Sequence, residues 1–326
     1  MGIGNGGEIV KLAGKRAIVT GSTTGIGREI ALYLAAQGAR VVVNARGARQ
    51  GGIGAIDAVV DEIRTNGGSA IGVAGAVDDP KFAAHLVEEC VRQLGGIDIL
   101  INNAAILIPE ALGPVGDCSL DAWEQTLRVN LFGPFYTSRA ALPHMIEQQW
   151  GRIVNAGSYA GLGWMGGSGY SAAKSGLFGM SRAMAADYGP YGITVNVYNP
   201  EAMTPMNDDL AVPYEQVIQH WVERGFRTQA EAEYIKGNGG PEGIPPWIAY
   251  LCSDAADYLN GEVFAVESRR IALVAAPDES RVLFRDYAKS GAWSLEELAQ
   301  LAPLAFPIKN RWPRRSGAAL AQWEKA

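Results

Sequence analysis

Short apolar runs alternate with segments of helical period over the first 270 residues of the chain. The runs are Ala17–Thr20, Arg40–Asn44, Ala70–Val73, Ile97–Ile101, Gly151–Ala156, Ile193–Asn199 and Gly261–Val266. Between the first four lie amphipathic stretches from Gly27, through Asp57–Thr65 and through Lys81–Leu94. A continuous apolar run suits a strand buried on both faces, and strands alternating with helices specify a parallel sheet with helices on either side. The expected fold is therefore α/β, a doubly wound parallel sheet. Further along, the pattern predicts a long helix over Asp121–Gln149 interrupted near Gly133-Pro134. It also predicts a flexible connection over Gly161–Gly169 and a last sheet-packing helix within Pro241–Ser253. A final helix is expected at Ser294–Leu301, with Ser294 and Glu297 as its cap.

Composition narrows the function classes. The 326 residues are 48% hydrophobic and 19% charged, which is ordinary for a globular protein, and the 41 glycines fit many strand-to-helix turns. A net charge of −6 argues against general nucleic-acid binding. The three cysteines, Cys90, Cys118 and Cys252, stand apart from one another and from His, so they read as reduced structural residues of a cytoplasmic protein. With only His85, His144 and His220 and no ligand spacing, no metal site is expected. No apolar stretch reaches the roughly 18 residues of a membrane span, so no membrane partner is expected.

Two stretches carry chemistry. Thr20-Gly21-Ser22-Thr23-Thr24-Gly25-Ile26-Gly27 sits between an apolar strand and a periodic helix. Such a turn lets the backbone approach a pyrophosphate, and the helix N-terminus offers free N–H groups. The second stretch is Tyr170-Ser171-Ala172-Ala173-Lys174, where phenol and ammonium share one helix face. A cation beside a phenol favours the phenolate and brings its pKa toward the working range. Ser158, on the turn after the fifth run, is placed to hold an alcohol or ketone oxygen.

Together these motifs resemble the short-chain dehydrogenase/reductase family over roughly residues 10 to 270. The resemblance implies a Rossmann fold that binds NAD(H) or NADP(H) at Gly21, Ser22, Thr23, Thr24, Gly25, Ile26 and Gly27. It also implies a catalytic tetrad of Asn130, Ser158, Tyr170 and Lys174 acting on a secondary alcohol or ketone. In that scheme Tyr170 is the acid/base, Ser158 orients the substrate oxygen, and Lys174 lowers the Tyr170 pKa and holds the nicotinamide ribose. Asn130 holds a relay water through its backbone. Asn103 and Ala104 match the family's Asn-Asn-Ala-Gly strand end, with Ala105 in the Gly position. Ala76 and Val77 match its adenine-contacting Asp-Val pair, with the Asp missing. Thr204 matches its nicotinamide-contacting Thr. Family members assemble as homodimers or homotetramers, and the same is expected here.

Ala45 stands where relatives that prefer NAD carry Asp, and Arg46 follows it. A cation at that place suits a 2′-phosphate, so NADP is the expected cofactor, with NAD possible. Within the family the pattern is most similar to the 3-hydroxyacyl-CoA dehydrogenase part of peroxisomal-type multifunctional enzymes and their bacterial relatives. This similarity rests on Val41-Val42-Val43-Asn44, the connection Gly47–Ala55 and Pro200-Glu201-Ala202-Met203-Thr204. The expected substrate is accordingly a bulky hydrophobic or acyl-CoA-type alcohol, with a steroid or aryl alcohol as the alternative. A cofactor-binding regulator without turnover is the alternative from another class. Trp164 and Met165 are candidate substrate contacts, and residues 207–240, with Trp221, Phe226 and Tyr234, are the expected lid. Residues 271–326 form a C-terminal extension with a basic end at Lys309, Arg311, Arg314 and Arg315. It is expected either to cover the cleft or a neighbouring subunit, or to be a loosely attached tail.

Overall fold

The apolar runs assemble into one eight-stranded sheet of order β3-β2-β1-β4-β5-β6-β7-β8. The strands are β1 Arg16–Val19, β2 Arg40–Ala45, β3 Ser69–Ala74, β4 Ile99–Asn102, β5 Gly151–Ala156, β6 Ile193–Glu201, β7 Val263–Glu267 and β8 Arg270–Val274. All neighbours pair in parallel except β7 and β8, which form an antiparallel hairpin. The computed structural model describes residues 12–47, 53–163, 167–202, 204, 214–223, 228–236, 240–275, 283, 289 and 292–306. Residues 1–11, Trp164, Met165, Phe226 and the basic cluster from Lys309 to Arg315 lie outside these, as do the side chains of Trp221 and Tyr234.

Helices among the described residues are α1 Gly25–Ala36, α2 Ile53–Thr65, α3 Pro80–Leu94, α4 Leu120–Leu127, α5 Gly133–Glu147, α6 Ser168–Tyr188, α7 Tyr214–Glu223, α8 Gln229–Lys236, α9 Pro245–Leu251 and α10 Leu295–Ala305. One core joins the sheet to α1, α2 and α9 through Ile30, Leu34, Ile56, Val60, Ile248 and Leu251. The other joins its opposite face to α3, α5 and α6 through Leu86, Cys90, Leu142, Met145 and Met184. Strand order reverses between β1 and β4. Chains leaving the carboxyl ends of those two strands diverge to opposite sides, and the crevice between them is where such sheets take ligands.

The observed elements depart from the sequence expectation in four places. The helix over Asp121–Gln149 is not broken at Gly133-Pro134. It passes from α4 through a π-helical turn at Arg128–Phe132 directly into α5, where the proline sits in the first turn and needs no donor. The start of the expected flexible connection is ordered as a 3-10 turn, Tyr159–Leu162, and α6 begins at Ser168, before the expected Gly169 boundary. The Pro241–Ser253 segment is a 3-10 turn, Pro241–Gly243, followed by the short α9, since Pro245 and Pro246 start a helix and cannot continue one. Strand β8 was not expected at all.

The chain divides into two units, Met1–Ala275 and Ala276–Ala326, and the whole sheet lies in the first. Within the second, α10 carries the expected cap. Ser294 Oγ accepts from Glu297 N at 3.1 Å, and the Glu297 carboxylate accepts from Ser294 N at 2.8 Å.

Candidate active site

The Gly-rich turn joins β1 to α1 and is held by residues on both neighbouring strands. Ser22 is fully buried: its hydroxyl donates to Val19 O at 2.7 Å and accepts from Asn44 N at 3.0 Å. Ser22 therefore ties the turn to β2, and its hydroxyl faces inward. On the other side Thr20 Oγ1 accepts from the N–H groups of Asn103 and Ala104, each at 3.0 Å. Asn103 returns the contact, its amide donating to the carbonyls of Thr20 at 3.1 Å and Gly21 at 3.0 Å. Its oxygen accepts from the Tyr198 hydroxyl at 2.9 Å.

This packing explains two of the glycines. Gly21 has φ +63, and a Cβ there would lie 2.8 Å from Ala104 Cα. A Cβ on Gly27 would lie 2.2 Å from Gly21 O and 2.3 Å from Asn103 Nδ2. The turn can thus close only without side chains at these positions. Thr24 is the N-cap of α1 and makes no side-chain cap bond, so it stands exposed at the start of a helix of 12 residues. This cradle fits a dinucleotide phosphate. Val77, buried, and Ala76, half-buried, follow β3, and Val77 packs under Gly133 at the start of α5. Arg46 is exposed just past the end of β2, and Thr204 is half-buried beyond β6.

The tetrad residues come from three elements. Asn130 lies in the π turn and is fully buried. Its side-chain amide pairs with the backbone of Ile106 in both directions, accepting from N and donating to O at 2.8 Å each. A side chain thereby binds the segment after β4 as a neighbouring strand would. Ser158 follows β5 as the N-cap of the 3-10 turn, accepting from Ala160 N at 3.1 Å, and it is hydrogen-bonded to the Tyr170 phenol. Tyr170 and Lys174 lie one turn apart in α6. Lys174 is buried, with Nζ donating to Ala156 O at 2.7 Å and lying 5.5 Å from the centre of the Tyr170 ring.

Electrostatics at the pair differ from the expected depression of the phenol by the lysine. Burial pushes the Tyr170 phenol up to about 12, only partly opposed by its bond to Ser158. Burial likewise pulls the Lys174 ammonium down to about 7. Desolvation is the leading cause for both groups, since each sheds the water that would stabilise its charged form.

Sequence reasoning missed the supporting roles of Thr20, Ile106 and Tyr198. A Thr ending an apolar strand before a Gly-rich turn was the one signal available. Nothing local marks Ile106, whose part is played by its backbone. Among the described residues no group of three metal-ligating side chains occurs, and no helix is long and apolar enough to cross a membrane.

Such a nucleotide cradle, with a serine, tyrosine and lysine gathered at the carboxyl ends of a parallel sheet, defines a class of NAD(P)-dependent oxidoreductases. The chain belongs to the short-chain dehydrogenase family, whose model matches residues 15–213. It is 35% identical to the (2S)-[(R)-hydroxy(phenyl)methyl]succinyl-CoA dehydrogenase subunit BbsD of Thauera aromatica, over 77% of this chain and 94% of that protein. It is 34% identical to the hydroxyacyl-CoA dehydrogenase ChsB1 of Mycobacterium tuberculosis, over 94% of this chain and 93% of the relative. Among solved structures it is similar to a short chain dehydrogenase from Burkholderia cenocepacia in complex with NADP. That match has a TM-score of 0.66 and 31% identity, over 79% of this chain and 98% of the other. The resemblance to bacterial hydroxyacyl-CoA dehydrogenases read from the sequence is matched by these relatives.

Proposed function

We propose that this protein interconverts a secondary alcohol and a ketone on an acyl-CoA-type substrate, with NADP as its preferred cofactor. The observation that carries the substrate class is the similarity to a hydroxyacyl-CoA dehydrogenase over 323 residues, which takes in nearly the whole chain. For the cofactor, the support is Ala45 in place of an acid with the exposed Arg46 beside it. The Gly21–Gly27 turn, Asn103 and Ala104 would hold the dinucleotide, Ala76 and Val77 would lie against its adenine end, and Thr204 would lie at its nicotinamide end. When bound, the nicotinamide takes or gives the hydride.

The chain's own residues then handle position and protons. Ser158 Oγ fixes the substrate oxygen beside the Tyr170 hydroxyl. As the phenolate, Tyr170 takes the proton from that oxygen during oxidation, and as the phenol it gives that proton back during reduction. Lys174, buried with a pKa drawn down to about 7, is poised to pass the proton onward near neutral pH. Asn130 keeps the post-β4 segment against the π turn, so the floor of the site does not open as protons move. Since β8 belongs to the sheet, we further read only the residues after it, 276–326, as an appendage to the catalytic domain, and the assembled protein as a homodimer or homotetramer working in the cytoplasm.

Turnover of 3-hydroxyacyl-CoA, steroid and aryl alcohols, each with NADP and with NAD, tests the reading. The highest kcat/KM is expected for a hydroxyacyl-CoA with NADP. Tight NADP binding with no oxidation of any alcohol would replace it with a regulatory role.

A further inference from the structure

The turn that carries Ser158 packs against a column of side chains running across β6, β7 and β8. Register sets the rungs of this column on one face of the sheet: Val197, Val263 and Val274, then Asn199, Ala265 and Ala272, then Glu201, Glu267 and Arg270. The first rung is apolar and packs with Phe178 of α6. The second lies directly under Gly157, where a Cβ would fall 2.2 Å from Asn199 Oδ1 and 2.6 Å from Val197. The third is charged, and the residue after Ser158 reaches it.

That residue is Tyr159. Its hydroxyl donates to Glu267 Oε1 at 3.3 Å and accepts from Arg270 Nη1 at 3.1 Å. Arg270 Nη1 also donates to Glu267 Oε1 at 3.0 Å, closing a triangle. Glu267 is 3% exposed and Arg270 about half exposed, so the carboxylate is buried beneath its counter-ion. Burial raises the Tyr159 pKa, which keeps the phenol a neutral donor at working pH. Without Arg270, the rung would hold two carboxylates, Glu201 and Glu267, on adjacent strands beside a desolvated phenol.

Resting on the proposed oxidoreductase reading, we infer that Tyr159, Glu267 and Arg270 form a positioning group that anchors the Ser158 turn to the β7–β8 hairpin. Besides its bond to the Tyr170 phenol, Ser158 is held within its own turn: Ala160 N donates to its Oγ and Gly161 N to its carbonyl, at 3.1 and 3.0 Å. Both ties lie within the 3-10 turn and would move with it. The phenol of Tyr159 is what connects that turn to the far edge of the sheet. A displacement of about 1 Å at a substrate-orienting hydroxyl costs on the order of 10²-fold in rate, so a remote anchor of this kind is read in kcat.

Amide hydrogen exchange and steady-state kinetics on the full-length protein test the inference. In Arg270→Ala, exchange at Ala160 and Gly161 should rise by about tenfold or more, with β5 amides unchanged. In the same variant kcat should fall by about tenfold or more at an unchanged KM for the cofactor. Tyr159→Phe should do the same, and the double variant should add little to either single one. Arg270→Lys, which keeps the cation, should recover most of both signals. The anchor is overturned if Arg270→Ala leaves exchange in the turn unchanged, or loosens the turn without lowering kcat. It is also overturned if exchange rises alike throughout β5 and β6, since the effect is then general destabilisation. A wild-type protein that oxidises no secondary alcohol would overturn the proposed function instead, and the exchange data would then decide the anchoring alone.

Discussion

Lys174 sits with its nitrogen 5.5 Å from the centre of the Tyr170 ring and donates to Ala156 O at 2.7 Å, so the lysine is fixed to β5. The pair is thus built from a strand and a helix together, and its spacing does not depend on the loop between them. Its charge states are set by burial, which favours the neutral form of both partners.

Removing the phenol oxygen isolates the proton-transfer role proposed for Tyr170. Tyr170→Phe should lower kcat by about 10²-fold or more, the usual range for a general acid–base group, while dinucleotide affinity stays within a few-fold. Fluorescence titration and turnover on one preparation check this, and a variant that kept a tenth of its kcat would remove Tyr170 from the role.

The pH dependence of stability reports Lys174. Its pKa falls from 10.5 in the unfolded chain to about 7 in the folded protein, so the folded state binds fewer protons between those values. Stability therefore rises with pH across that window, and the cost of burying the ammonium is felt in full below it. Melting temperatures of wild type and Lys174→Met, compared from about pH 6.5 to 9.5, should show the wild type gaining on the variant as pH increases. Tyr170, raised to about 12, acts with the opposite sign only above pH 10, outside this range. Parallel curves for the two proteins would mean that Lys174 is not buried as a strained cation.

Gly27→Ala should be costly at a position with no room to yield. The added Cβ meets a carbonyl oxygen and the Asn103 amide rather than a flexible side-chain end. A stability loss of about 1–3 kcal/mol is expected from such overpacking, with dinucleotide affinity falling by about tenfold or more as the cradle opens. Chemical denaturation and cofactor titration measure the two effects separately. Unchanged affinity would show that the cradle is not the binding site.

Arg46→Ala addresses cofactor choice. If Arg46 meets a 2′-phosphate, NADPH binding should weaken by about tenfold or more while NADH binding hardly moves, since one charge-assisted contact is worth about 1.5–3 kcal/mol. Equal losses for both cofactors would leave Arg46 without a part in the choice.

Much of this architecture was legible in the sequence because its signals are local. Apolar runs gave seven strands within two residues of their ends, and the Ser294/Glu297 pair marked the cap of α10. The Gly-rich turn and the Tyr170/Lys174 spacing marked the candidate site. What stayed hidden depends on partners distant in the chain. Strand β8, Arg-Ile-Ala-Leu-Val, is short, and the Ser268-Arg269 link contains none of the Gly or Asn that usually announce a tight hairpin. The anchoring of Tyr159 could not be read without β8. The pKa directions at Tyr170 and Lys174 follow from burial, which i,i+4 spacing does not reveal.

The π turn at Arg128–Phe132 has a consequence for how this stretch can vary in length. A π turn amounts to one extra residue in an α-helix, and each residue rotates the chain by about 100°. That rotation lets α4 lean on α6 while α5, continuous with it, turns to α3 and the sheet. Deleting any single residue from the turn would restore α-helical phase and swing Asn130 away from the Ile106 backbone. Substitutions that spare Asn130 should be easier to accept there than the loss of one residue, so the segment is constrained first by its count.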